Sequence, residues 1–113
     1  MKYMLQVRFN GADVIGRLPV QEREQVTTEF EEIGRSPGVL DGNQLQAAGE
    51  GVTVRVNGGE TQVTAGSAVA AGSEVNGYYI YDAPDLDAAI GFAARIPVAR
   101  MGGTVEVRAM VER

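Results

Sequence analysis

Three short segments carry polar side chains at alternate positions, and together these could hold a small molecule and move a proton on it. "LQVRF" offers Gln6 and Arg8, "GYYIYD" offers Tyr79 and Tyr81, and "TVEVRA" offers Glu106 and Arg108. Two guanidinium groups and an amide suit a small polar or anionic ligand. A carboxylate beside them can take a proton, and a phenol can return one. In that arrangement we take Glu106 as the base and Tyr79 as the acid, with Gln6, Arg8, Arg108 and Tyr81 as substrate contacts. The chemistry would be isomerisation, dehydration or a related proton transfer on a small organic substrate. A plainer alternative uses the same residues: Arg8, Glu106 and Arg108 neutralise one another across strands or across a dimer, because charges removed from water need partners.

The chain has no histidine and no cysteine. That removes the commonest metal ligand, the side chain that titrates nearest neutrality, and all thiolate chemistry. A zinc site, a Ser-His-Asp triad and a histidine base are excluded, and neither metal nor cofactor is expected. Net charge is −5, from 15 acidic and 10 basic residues, with the cations scattered singly. Phosphate backbones and anionic lipids need clustered cations, so neither nucleic acid nor membrane is expected as a partner. The apolar runs are too short for a spanning helix, and "MKYMLQVRF" lacks the apolar core of a signal peptide. A cytoplasmic location is the default.

These side chains need elements to position them. From Lys2 to Phe9, Tyr3, Leu5, Val7 and Phe9 alternate with Met4, Gln6 and Arg8, the period of a strand. "NGAD" then brings turn residues. "LPVQEREQVTTEFEEIGRSPG" predicts a helix with Pro19 in its first turn, Val26, Phe30 and Ile33 on its apolar stripe, and its glutamates in solvent. "VLDGNQLQ" reads as a short second strand or extended segment, in which Asp41 and Asn43 beside glycine favour a turn, with a rim contact to a ligand as the alternative. "VTVRVNGGETQV" has alternating valines on either side of Asn57-Gly58-Gly59, a hairpin signal. After an open loop come the aromatic strand and a second helix over "PDLDAAIGFAARI". Its buried stripe is expected at Leu86, Ala89, Ile90, Ala93 and Ala94, with Asp82, Asp85 and Asp87 as capping residues. The last strand alternates Val105, Val107 and Ala109 with Thr104, Glu106 and Arg108.

If the valine faces pack on the helices, Gln6, Arg8, Glu106 and Arg108 share the opposite face. On the aromatic strand either Tyr79 and Tyr81 or Tyr78 and Ile80 join them. The order β-α-β, hairpin, β-α-β predicts one α+β domain over residues 1–113, with a ferredoxin-like arrangement. Two helices on one side of a sheet leave the other side bare, and the chain has no third layer to cover it. A homodimer joined through that bare face is therefore expected.

Several blocks carry a resemblance across almost the whole chain. They are "MKYMLQV", "IGRSPGVLDGNQLQ", "VTVRV", "GYYIYDAPDLDAAIGFAARIP" and "GGTVEVRAMVER". Together they resemble the YCII-related family, and within it the DGPF branch. The resemblance implies a dimeric α/β barrel, two sheets face to face around a shared cavity. It also implies largely uncharacterised function, with a few relatives acting on ring-type small molecules and many lying near extracytoplasmic-function sigma factors. The branch is named for a stretch resembling T-D-G-P-F-A-E-T-K-E between the hairpin and the aromatic strand. Of it only Thr64 and Gly66 survive in "TAGSAVAAGS"; alanine stands at the aspartate position 65 and at the phenylalanine position 68. The His–Asp pair associated with wider relatives is absent as well. Glu74 is a partial stand-in for the terminal acid. Residues 65–76, small and without proline, should form the most mobile internal segment. The resulting expectation is a small-molecule-binding dimer with a polar cavity; the alternative is the proton-transfer enzyme, for which the resemblance implies a small ring-type or carboxylate substrate.

Overall fold

The alternation of the first segment decides where the core lies. β1 (Lys2–Arg8) buries Tyr3, Leu5 and Val7 and leaves Met4, Gln6 and Arg8 half-buried on its other side. The structure is a computed structural model that describes residues 1–9, 17–70 and 72–113. The turn expected at residues 10–13 lies outside them. α1 (Val20–Gly34) and β2 (Val39–Gln44) follow, then β3 (Val52–Asn57), β4 (Glu60–Ala65), β5 (Gly77–Asp82), α2 (Leu86–Ala93) and β6 (Thr104–Ala109).

Four strands form the main sheet in the order β2-β5-β1-β6, every neighbouring pair antiparallel. Leu5 sits opposite Tyr79 of β5 and opposite Val107 of β6. β1 is thus an interior strand, and the connections through α1 and α2 each skip one strand. Among the described residues the fold is α+β with two α-helices and antiparallel sheets, and its strand order is compatible with the ferredoxin-like arrangement.

α1 lowers Val26 and Ile33 into the core with Phe30 partly buried beside them. α2 starts at an extended Asp85, whose carboxylate accepts the Ala88 N–H at 2.8 Å and so satisfies one of the free donors of the first turn. Its buried stripe differs from expectation. Ala89, Phe92 and Ala93 face inward, while Leu86 and Ile90 are half exposed and Ala94 is exposed. The cause is an aromatic stack: the Phe92 ring lies on Tyr81 with centroids 4.0 Å apart and planes 9° from parallel. That contact turns the helix by about one residue, and the small alanines beside it allow close approach. Ile96 and Val98, just past the helix, complete the core.

β2 is the short strand expected in "VLDGNQLQ"; only the turn at Asp41 and Asn43 gives way, since both lie in the strand, with an irregularity between Val39 and Asp41. Gly42 is required there: a Cβ at that position would lie 2.5 Å from Cδ1 of Tyr79. The hairpin β3–β4 forms as expected, in a two-stranded sheet of its own. Gly58 and Gly59 have φ of +61° and +80°, the positive angles a two-residue connection needs. The molecule measures 49 × 41 × 19 Å, and its short dimension has room for one sheet and one layer of helices.

Candidate functional site

Register brings the polar residues into two rows across the uncovered side of the main sheet. Asn43, Tyr78, Gln6 and Glu106 pair in sequence from β2 to β6, and Asp41, Ile80, Met4 and Arg108 form the adjacent row. Because side chains alternate across a strand, both rows point away from Leu5 and the helices. Arg8 extends the face at the end of β1, opposite Thr104.

Arg8 is the hub. Its Nη1 meets Glu106 Oε1 at 3.3 Å, its Nη2 donates to Gln6 Oε1 at 3.0 Å, and its Nε donates to the Ser73 carbonyl at 3.2 Å. Arg108 approaches the other Glu106 oxygen through Nε at 3.5 Å and is otherwise largely exposed. Both carboxylate oxygens therefore already face a guanidinium group. On the β2 side, Asn43 Nδ2 donates to the Tyr78 hydroxyl at 2.9 Å, and that hydroxyl lies 3.4 Å from Asp41 Oδ2.

The structure thus brings together Gln6, Arg8, Glu106 and Arg108 and separates them from the two chosen tyrosines. Tyr79 and Tyr81 lie opposite Leu5 and Tyr3, on the helix side. Tyr81 is held in the stack with Phe92, and burial pushes the Tyr79 hydroxyl above its ordinary pKa of 10.0. The phenol on the open face is Tyr78, accompanied by Asn43 and Asp41, for which the sequence favours a turn and offers a rim contact as the alternative. "YYIY" offers no polar–apolar alternation, so its parity could not be read from the segment alone. A useful signal lay in Gly42, since a bulky ring often covers a strand glycine.

The loop after β4 approaches this cluster through Ser73. Ser67, Ala68, Val69 and Ala70 are exposed, and the Glu74 carboxylate accepts the Gly72 N–H at 2.8 Å, tying that acid into the loop's own turn. Asn76 anchors the end of the loop by donating to the Val7 carbonyl at 2.8 Å, while its side chain accepts the Phe9 N–H. An open groove of about 540 Å³ runs from Arg8 past Leu45, Glu50 and Val69 to Val52 at the base of the hairpin.

Chemically, the arrangement presents a carboxylate held between two cations, an amide and a phenol on a sheet face with no covering layer among the described residues. An anion arriving there would compete with Glu106 for the arginines. No helix among the described residues is long and apolar enough to cross a membrane. Comparison with curated proteins finds no match. The sequence profile of the YCII-related domain matches residues 1–112, and the chain belongs to that family.

Proposed function

We propose that the chain acts as a homodimer, a dimeric α/β barrel of the DGPF branch, whose uncovered sheet faces enclose a polar cavity that binds a small organic anion. The observation that carries this is the Arg8–Glu106–Arg108 cluster on a sheet face over which no layer lies among the described residues. Charges of both signs gathered on a face with apolar Met4 and Ile80 beside them suit enclosure with a ligand better than a purely solvated surface. Arg8 and Arg108 take the anionic group, Gln6 and Tyr78 contact the rest of the ligand, and the place of action is the cytoplasm. Catalysis is the second reading, favoured by Glu106 alone: the bound anion recruits the arginines and releases the carboxylate as a base, with Tyr78 in place of Tyr79 as the acid.

A thermal-shift series with carboxylate and phenolic compounds tests the binding reading, run on the wild type and on Arg8→Ala. A ligand at about 100 times its dissociation constant stabilises the folded state by about 2.7 kcal/mol, and the variant should lose most of that gain. Equal shifts in both proteins would remove Arg8 from the site. Glu106→Gln separates the two readings, because binding should survive it whereas turnover of any substrate found should not.

A further inference from the structure

We propose that the hairpin β3–β4 is a dimerisation arm whose valine face packs against a second copy of this chain and roofs the groove beside Arg8. The proposal rests on the homodimer reading and adds to it a surface outside the main sheet. Val52, Val54 and Val56 share one face of the hairpin with Val63, and all four are 58 to 69% exposed. Thr53, Arg55, Gln62 and Thr64 occupy the other face. Such a division is the pattern of a sheet with one side packed and one side wet, yet the packed side here has nothing on it among the described residues. A two-stranded hairpin is marginal in water on its own, so this arm needs a lasting cover rather than an occasional visitor.

The total surface fits a second copy as the cover. The chain exposes 7690 Å². A monomer of 12.0 kDa is expected to expose roughly 6,000 Å². The surplus of roughly 1,700 Å² falls within the roughly 1,000–2,500 Å² that each protomer of an obligate dimer buries. The radius of gyration, 16.1 Å, likewise exceeds the roughly 13 Å of a closed domain of this length. A second copy suits the patch in two further respects. Two-fold symmetry lets one surface serve on both sides of an interface. The hairpin also carries one cation, Arg55, and one anion, Glu60, a balance that gives neither anionic lipid nor nucleic acid a hold. Position adds the link to the site: Val52 and Arg8 line the same groove, so a protomer seated on the arm closes the ligand's way out.

Sedimentation velocity across nanomolar to micromolar concentrations tests the arm in the full chain, with far-ultraviolet circular dichroism as the check on folding. The wild type should be dimeric at micromolar concentration. Val54→Lys/Val56→Lys should weaken association at least about tenfold, whereas Arg55→Ala on the wet face should leave it unchanged. A double variant that dimerises as tightly as the wild type overturns the arm and leaves the sheet-face dimer standing. A monomeric wild type overturns both. If the double variant does not fold, amide exchange in the wild type decides. Dilution through the dissociation range should speed exchange at the hairpin amides, and concentration-independent exchange there, with the dimer dissociating, overturns the arm.

Discussion

The two faces of the main sheet are built from alternate residues of the same strands. On the helix side, Tyr3, Leu5 and Val7 pack with Ile33, Ala89, Phe92 and Ile96 into a continuous apolar core. On the open side, one residue further along each strand, Gln6, Arg8, Glu106 and Arg108 spend their polar groups on one another. The first face gains from exclusion of water, at about 25 cal/mol for each square ångström of apolar surface covered. The second gains little, because ion pairs exposed to solvent contribute from nothing to about 1 kcal/mol each. Apolar burial and exposed charge are therefore divided between odd and even positions of one strand, and a substitution should be felt according to its parity.

Leu5→Ala against Met4→Ala is the sharpest test of that division. Leu5 has no exposed surface, so its truncation should cost about 2–5 kcal/mol in urea denaturation. Met4, its neighbour on the open face, should cost less than about 1 kcal/mol by the same measurement. Similar losses at both positions would mean that the open face is packed as tightly as the core.

A smaller effect is expected at Gly42. The added methyl of Gly42→Ala meets the Tyr79 ring on the helix side, and overpacking of this kind costs about 1–3 kcal/mol. Gly49→Ala, where nothing lies within 4 Å, should change stability by less than about 0.5 kcal/mol. The comparison fails if Gly42→Ala is as well tolerated as Gly49→Ala.

The smallest effect is confined to alkaline pH. Burial raises the Tyr79 pKa above 10.0, so the folded chain holds the phenolic proton more tightly than the unfolded chain. The stability this contributes is present below about pH 10 and is lost as pH rises through the folded value. Wild type should therefore lose urea resistance more steeply above pH 10 than Tyr79→Phe does, with little pH-dependent difference near neutrality. Parallel curves for the two proteins would place the Tyr79 hydroxyl in water.

Much of this was legible in the sequence, for reasons that also explain the rest. The strict alternation of Tyr3, Leu5 and Val7, and of Val105 and Val107, fixes which side of each strand is apolar, and so brings Arg8 and Glu106 to one face. The glycine pair at 58 and 59 admits the tight hairpin turn directly. Parity in "YYIY" was not legible, because each residue there is large and partly apolar; only pairing with β1 separates Tyr78 from Tyr79. The stripe of α2 was misplaced for a related reason. Leu86 and Ile90 look more apolar than Ala89, but the stack of Phe92 on Tyr81 is a tertiary contact that no helical period encodes. Asp41 and Asn43 carry turn chemistry locally and become strand residues because β5 supplies hydrogen-bonding partners for β2.

The interior position of β1 has a consequence for the order in which the chain assembles. The hairpin joins residues that are close in sequence and can close in about 1–10 μs once made. Arg8 and Glu106, across the β1–β6 pair, are 98 residues apart. At about 5–20 residues per second, synthesis of that interval takes roughly 5 to 20 s, during which β1 lacks β6 and, until residue 82 is made, β5 as well. Through that time Leu5 and Val7 lie on a strand with a free edge, and the hairpin already displays its valines. Nascent chains would therefore be most prone to pair with one another before β6 emerges, and a cell making this protein has most need of a holding chaperone in that interval.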